Sequence, residues 1–149
     1  SDDKARLARE HGCEHVIVTS DYQFADAVQR LAGGADVLID GLGAQARDEN
    51  FAALARRGHW ISLGQATGAL DAVDANALVA KSITFSRPVV FDYVATRAAL
   101  QQRASRLWAA LADGGIKLPP IERHSLEAAA AAHARLESRA TAGSLVLIA

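Results

Sequence analysis

Short apolar runs alternate here with stretches of helical periodicity, and that alternation limits the chain to few architectures. Val16-Ile17-Val18 is a β-branched run. Phe24, Val28 and Leu31 then recur at helical spacing until Gly33-Gly34 stops them. Val37-Leu38-Ile39 is the next strand, followed by a helix carrying Phe51, Leu54 and Ala55 that ends near Gly58. Trp60 to Leu63 reads as a third strand closed by Gly64, and Ile83-Thr84-Phe85 as a fourth, halted by Pro88. The runs are continuous rather than alternating, the mark of strands covered on both faces in a parallel sheet. Repeated strand-helix-strand units predict an α/β fold, a Rossmann-type doubly wound parallel sheet.

The remainder has a different pattern. Leu100, Ala104, Leu107, Trp108 and Leu111 fall on one face of a long helix capped around Gly114-Gly115. "IKLPPIERHS" is extended, Ser125 opens an Ala-rich helix to about Leu136, and Leu145 to Ile148 is a last strand. In the Ala-rich helix, Ala128 to Ala132 reads as a close-packing surface. At the front, Ser1 is suited to an N-cap with Asp2 and Asp3 in the first turn. A helix with no strand before it is an unusual opening for a doubly wound sheet. The expectation is a sheet incomplete at its N-terminal end.

Composition narrows the class. The 149 residues, half of them hydrophobic, suit a folded domain. A formal charge of −1 gives no basic excess for nucleic acid, so no nucleic-acid partner is expected. No apolar run reaches membrane-span length, so no membrane partner is expected. The single cysteine, Cys13, permits no intramolecular disulfide and fits a reducing, cytoplasmic location.

The most suggestive motif is "ADVLIDGLGAQARDE". Gly41, Gly43 and Ala46 stand at G-x-G-x-x-A spacing behind a strand, one form of the dinucleotide fingerprint. Its companion, a carboxylate about 20 residues on that binds the ribose, is missing from "WISLGQATG". Asp40 also places a negative charge directly before the loop. On these grounds the motif reads as a tight strand-to-helix turn rather than a pyrophosphate cradle.

Three blocks, "LIDGLG", "RRGHWISLGQATGALDAVDANALVAKSITFSRP" and "LESRATAGSLVLIA", together resemble the quinone oxidoreductase (zeta-crystallin-like) branch of the medium-chain dehydrogenase/reductase superfamily, also called the zinc-type alcohol dehydrogenase superfamily. Arg87-Pro88 and the run Glu137 to Gly143 are the most specific parts, and the blocks keep the family's order. The resemblance implies the C-terminal portion of such an enzyme. Residues 1–118 would be a partial NAD(P)-binding domain, and 119–149 a segment returning to an absent catalytic domain. It implies NADPH as cofactor and hydride transfer to a small-molecule quinone, by a cytoplasmic homodimer joined through the edge strand near Ile83–Phe85. The family's pyrophosphate turn lies upstream, so Gly41, Leu42 and Gly43 become a wall beside the nicotinamide.

The same resemblance assigns Leu63, Gly64 and Gln65 to the nicotinamide, Lys4 to the 2′-phosphate and Arg139 to the cofactor phosphates. Arg135 and Glu137 are then surface neighbours. Where the family carries a tyrosine near the adenine end this chain has Thr19, with Tyr22 three residues on. That puts the adenosine contact in question. No catalytic acid or base is assigned, and the fragment alone is expected to be inactive. The resemblance also implies two alternatives, an enoyl or alkenal reductase of the same superfamily and a cofactor-binding module without turnover. A flavodoxin-like receiver domain would need an acidic cluster at the strand ends, where only Asp40 stands.

His11, Cys13 and His15 form H-x-C-x-H without a second ligand pair, so no metal site is expected and Cys13 should be partly buried at a helix end. The family's zinc ligands lie largely outside these residues. Asp71 and Asp74 read as turn or cap residues.

Overall fold

The computed structural model describes residues 1–138 and 141–149. They resolve into two compact units, Ser1–Leu100 and Gln101–Ala149.

In the first unit, α1 (Asp2–Glu10) starts behind Ser1 and ends where the Cys13 N–H reaches the Ala8 carbonyl at 3.0 Å. Cys13 is exposed, not partly buried as expected, because it lies in the turn after α1, where residues 11–15 are all exposed. The chain continues through α2 (Ala25–Ala32), β1 (Ala35–Asp40), a short 3-10 turn, α3 (Arg47–Ala53) and β2 (Leu54–Ser62). It closes with α4 (Ala75–Val79), β3 (Thr84–Ser86) and α5 (Val90–Tyr93). The three strands are parallel in the order β1-β2-β3, with Leu38, Trp60 and Phe85 in one row and Asp40 beside Ser62 in another. Parallel neighbours joined through helices are the Rossmann-type arrangement expected.

The core is small and centred on Trp60, which is fully buried. Phe51 and Phe85 meet its ring edge-on at 5.2 and 5.1 Å, the arrangement aromatic quadrupoles favour. Leu54 and Ile83 complete the buried set, with Leu38, Leu70 and Leu78 packed against it. Glu49 crosses from α3 to accept the Phe24 and Ala25 N–H groups, both at 2.7 Å. It thereby caps α2, whose own N-cap residue is an apolar phenylalanine.

Four expectations need correction. Val16–Val18 is not a strand, because no described backbone pairs with it and a strand exists only through pairing. The helix expected to run past Leu54 ends at Ala53. Phe51, Leu54 and Ala55 fit helical spacing, but Leu54 is extended and opens β2, its side chain buried in the core. A bulge follows: Ala35 pairs with Leu54 while Val37 pairs with His59, and Arg57 takes a φ of 64° between them. β2 also stops at Ser62, so Leu63 has already left the sheet. Finally, the sheet is not covered on both faces within this unit: Val37 and Ile39 are 58% and 68% exposed while Leu38 packs on the core.

In the second unit, α6 (Arg97–Ala112), which spans the division, buries none of its residues, and Trp108 on its apolar face stays exposed. β4 (Ile121–Ser125), α7 (Ala129–Glu137) and β5 (Ser144–Ile148) form a strand-helix-strand unit whose two strands pair in parallel. Ala132 is the buried residue of α7, as its size allows. Arg135 grips Glu122 with two bonds of 2.6 and 2.9 Å, and this guanidinium holds the Glu122 carboxyl below its ordinary pKa.

The turn from α3 into β2 depends on Lys81. Its ammonium donates to the carbonyls of Phe51, Ala52 and Leu54 at 3.0, 3.0 and 2.7 Å. Three donors meet three acceptors at the negative end of a helix. Lys81→Met keeps the stem and removes the donors, so it should destabilise the fold by about 2 kcal/mol in urea denaturation.

Candidate functional site

β1 and β2 end side by side, and their following loops are joined backbone to backbone. Leu63 and Gly64 N–H donate to the Asp40 carbonyl at 2.8 and 3.1 Å. Ala66 N–H reaches the Gly41 carbonyl at 3.2 Å, and Ala44 N–H reaches the Gly68 carbonyl at 3.1 Å. The carboxyl ends of parallel strands are where folds of this architecture bind ligands. The ledge brings together Gly41, Leu42, Gly43, Leu63, Gly64 and Gln65.

Two of its glycines are required by the fold. A Cβ on Gly64 would lie 2.5 Å from the Gly41 carbonyl oxygen and 2.8 Å from its Cα. Gly43 has a φ of 88°, and its Cβ would land on the Gly68 carbonyl. Gly41 is different: a side chain there would meet nothing within 4 Å and its φ is not left-handed, so packing does not demand glycine. Its bareness leaves the ledge open to close approach. Leu63 is 58% exposed, and the Gln65 amide is exposed beside it.

Asp40 explains why this loop is no phosphate cradle. Its side chain, only 3% exposed, accepts from the Leu42 N–H at 2.7 Å and the Gly43 N–H at 3.2 Å through Oδ1. Oδ2 accepts from the Trp60 indole N–H at 3.3 Å. The backbone donors that a pyrophosphate would need are already occupied by an internal anion-type acceptor. An Asp with N–H groups two and three residues on is an Asx-turn signal, legible in "DGLG" but noticed above only as an unfavourable charge. Thr67 and Glu49 were missed altogether, since neither belongs to a recognisable spacing pattern.

The other assigned positions lie elsewhere. Lys4 is exposed in the first turn of α1. Arg139 lies outside the described residues. Thr19 donates its hydroxyl to Asp21 at 2.6 Å, and that bond draws the Asp21 pKa below its ordinary value. Arg87, just past β3, donates to the fully buried Ser62 hydroxyl at 3.3 Å. Asp74 N-caps α4 by accepting from the Asn76 N–H at 2.8 Å, a cap role as expected.

The family model for zinc-binding dehydrogenases matches residues 11–147. A probable quinone oxidoreductase of Schizosaccharomyces pombe is 32% identical over 97% of this chain and 44% of its own length. A 2-haloacrylate reductase of Burkholderia is 30% identical over 99% of this chain and 46% of its own length. The crystal structure of Escherichia coli quinone oxidoreductase complexed with NADPH superposes with a TM-score of 0.89 at 30% identity, covering 100% of this chain and 47% of that one. The chain therefore belongs to the zinc-binding dehydrogenase family of the medium-chain dehydrogenase/reductase superfamily. Its resemblance lies with the C-terminal portion of the quinone oxidoreductase branch, and it spans less than half the length of the relatives described.

The family description raises the question of zinc. Among the described residues no three His, Cys, Asp or Glu side chains converge on a point that could hold a metal ion. His11 uses Nδ1 on the Leu7 carbonyl at 2.8 Å. The donor set of the described residues does not fit zinc.

Gly64→Ala tests the joined loops. A Cβ against backbone atoms cannot be relieved by a rotamer change, so the substitution should cost about 2 kcal/mol. The thermal melt should fall, and the amides of Ala66 and Thr67 should lose protection from hydrogen exchange.

Proposed function

We propose that this chain is the cofactor-holding part of an NADPH-dependent oxidoreductase that reduces a quinone. The observation that carries the reading is the open ledge at the carboxyl ends of β1 and β2, with Gly41 bare and Leu63 and Gln65 exposed above a rigid backbone. An exposed leucine and an amide beside a bare glycine suit a planar ring that bears a carboxamide. Leu42 and Leu63 would exclude water from one side of that ring, and the Gln65 amide would orient the carboxamide. When bound, NADPH would supply a hydride, which together with a proton from solvent would reduce a quinone to a hydroquinone. No side chain here is assigned as an acid or base.

Lys4 would pair with the 2′-phosphate as a point charge, and Arg139 would meet the cofactor phosphates. A homodimer would form near Ile83–Phe85 through β3, which is last in the described strand order and could take a further strand on its open side. The enzyme would be cytoplasmic, the location that its single cysteine suits; no described helix is long and apolar enough to cross a membrane. Residues 119–149 would return to the catalytic domain.

A second reading, reduction of an activated carbon-carbon double bond, is favoured by the similarity to a 2-haloacrylate reductase. NADPH oxidation followed at its near-ultraviolet absorbance, with the whole protein and either 1,4-benzoquinone or 2-chloroacrylate, separates the readings. Quinone-dependent loss of NADPH supports the first, acrylate-dependent loss the second. Binding without turnover supports a module that only holds the cofactor. Lys4→Ala should weaken NADPH binding about tenfold, the effect of one charged contact, and leave NADH almost unchanged in fluorescence titration.

A further inference from the structure

We infer that Thr67 is a positioning residue, whose hydroxyl fixes the apex of the β1 loop and so sets where the cofactor ring lies relative to its hydride acceptor. The inference rests on the reading of the ledge given above. Thr67 Oγ1 donates to the Leu42 carbonyl at 2.8 Å, and the Thr67 N–H donates to the same carbonyl at 2.8 Å. The same hydroxyl accepts from the Gln45 N–H at 3.1 Å, in the 3-10 turn that leads into α3. Leu42 is thus held from both sides, its N–H by Asp40 and its carbonyl twice by Thr67. One hydroxyl uses its donor and an acceptor lone pair to tie the loop apex to the start of the helix.

This bond pair is separable from the rest of the fold. The strand ends remain joined through the Leu63, Gly64, Ala66 and Thr67 N–H groups whatever the residue 67 side chain is. Removing the hydroxyl takes one of the two bonds from the Leu42 carbonyl and the bond from the Gln45 N–H, at the surface that would face the ring. Small displacements at a hydride-transfer site lower the rate much more than they lower stability.

Thr67→Val, Thr67→Ala and Thr67→Ser in the whole protein test this, with NADPH and whichever of 1,4-benzoquinone or 2-chloroacrylate is turned over. Valine and alanine should each lower kcat about tenfold, with KM for NADPH changed less than about threefold. Serine should restore kcat to within about twofold, since it keeps the hydroxyl. Hydrogen exchange at the Gln45 amide should quicken in the valine and alanine variants alone, with melting temperatures within a few degrees. If kcat is unchanged by valine, or follows the melting temperatures, or is not rescued by serine, the positioning role is overturned and the reading of the ledge survives. If the unsubstituted protein neither binds nor oxidises NADPH, both are overturned.

Discussion

Asp40 sits at the end of β1 with its carboxyl group almost wholly out of solvent and three N–H groups aimed at its two oxygens. Two of those donors belong to the loop that follows, and the third to Trp60, the centre of the core. A buried acceptor of this kind is tolerated only when its hydrogen bonds are made. The arrangement therefore fixes the loop to the core through a single side chain. Its own carbonyl then receives Leu63 and Gly64, so the second loop takes its position from the first.

The rest of the first unit follows from placing Trp60. Phe51 arrives from α3 and Phe85 from β3, which requires α3 to stop early and β2 to begin at Leu54. Lys81 makes that early stop possible by satisfying carbonyls that the helix leaves unpaired. Glu49, on the same helix, caps α2 from the side. The two long-range caps let a core of few large side chains hold several short elements in place.

The ledge gains its chemistry from what it lacks. With the loop donors already paired to Asp40 and Thr67, the surface offers no phosphate cradle; it offers a bare glycine, apolar side chains and one amide. Such a surface suits a neutral ring better than a phosphate, which is the physical ground of the role proposed for it. The exposed face bearing Val37 and Ile39, and α6 with no buried residue, show that the apolar pattern of this chain exceeds what the two units cover by themselves.

Element type was largely legible in the residues. Val37 to Ile39, Leu145 to Ile148 and the helix stopped at Gly33 read correctly because their signals are local: β-branched runs, helical spacing and a glycine stop. Leu54 was assigned to the wrong element because helical spacing and core burial can be met by two conformations, and only the Lys81 cap and the pairing with Ala35 decide between them. Val16–Val18 has the residues of a strand but no described partner, and pairing is not encoded in one run alone. Gly41, Gly43, Gly64 and Gln65 could be placed in loops from the sequence; that Gly64 presses on Gly41, and that Asp40 and Thr67 take up the loop's polar groups, could not. Sequence by itself determined the alternation of elements, since it is carried by residue types at local spacings, and three ordered blocks carried the resemblance to the family. Tertiary structure decided which glycines are steric necessities and which is an open surface, because that depends on atoms more than twenty residues away.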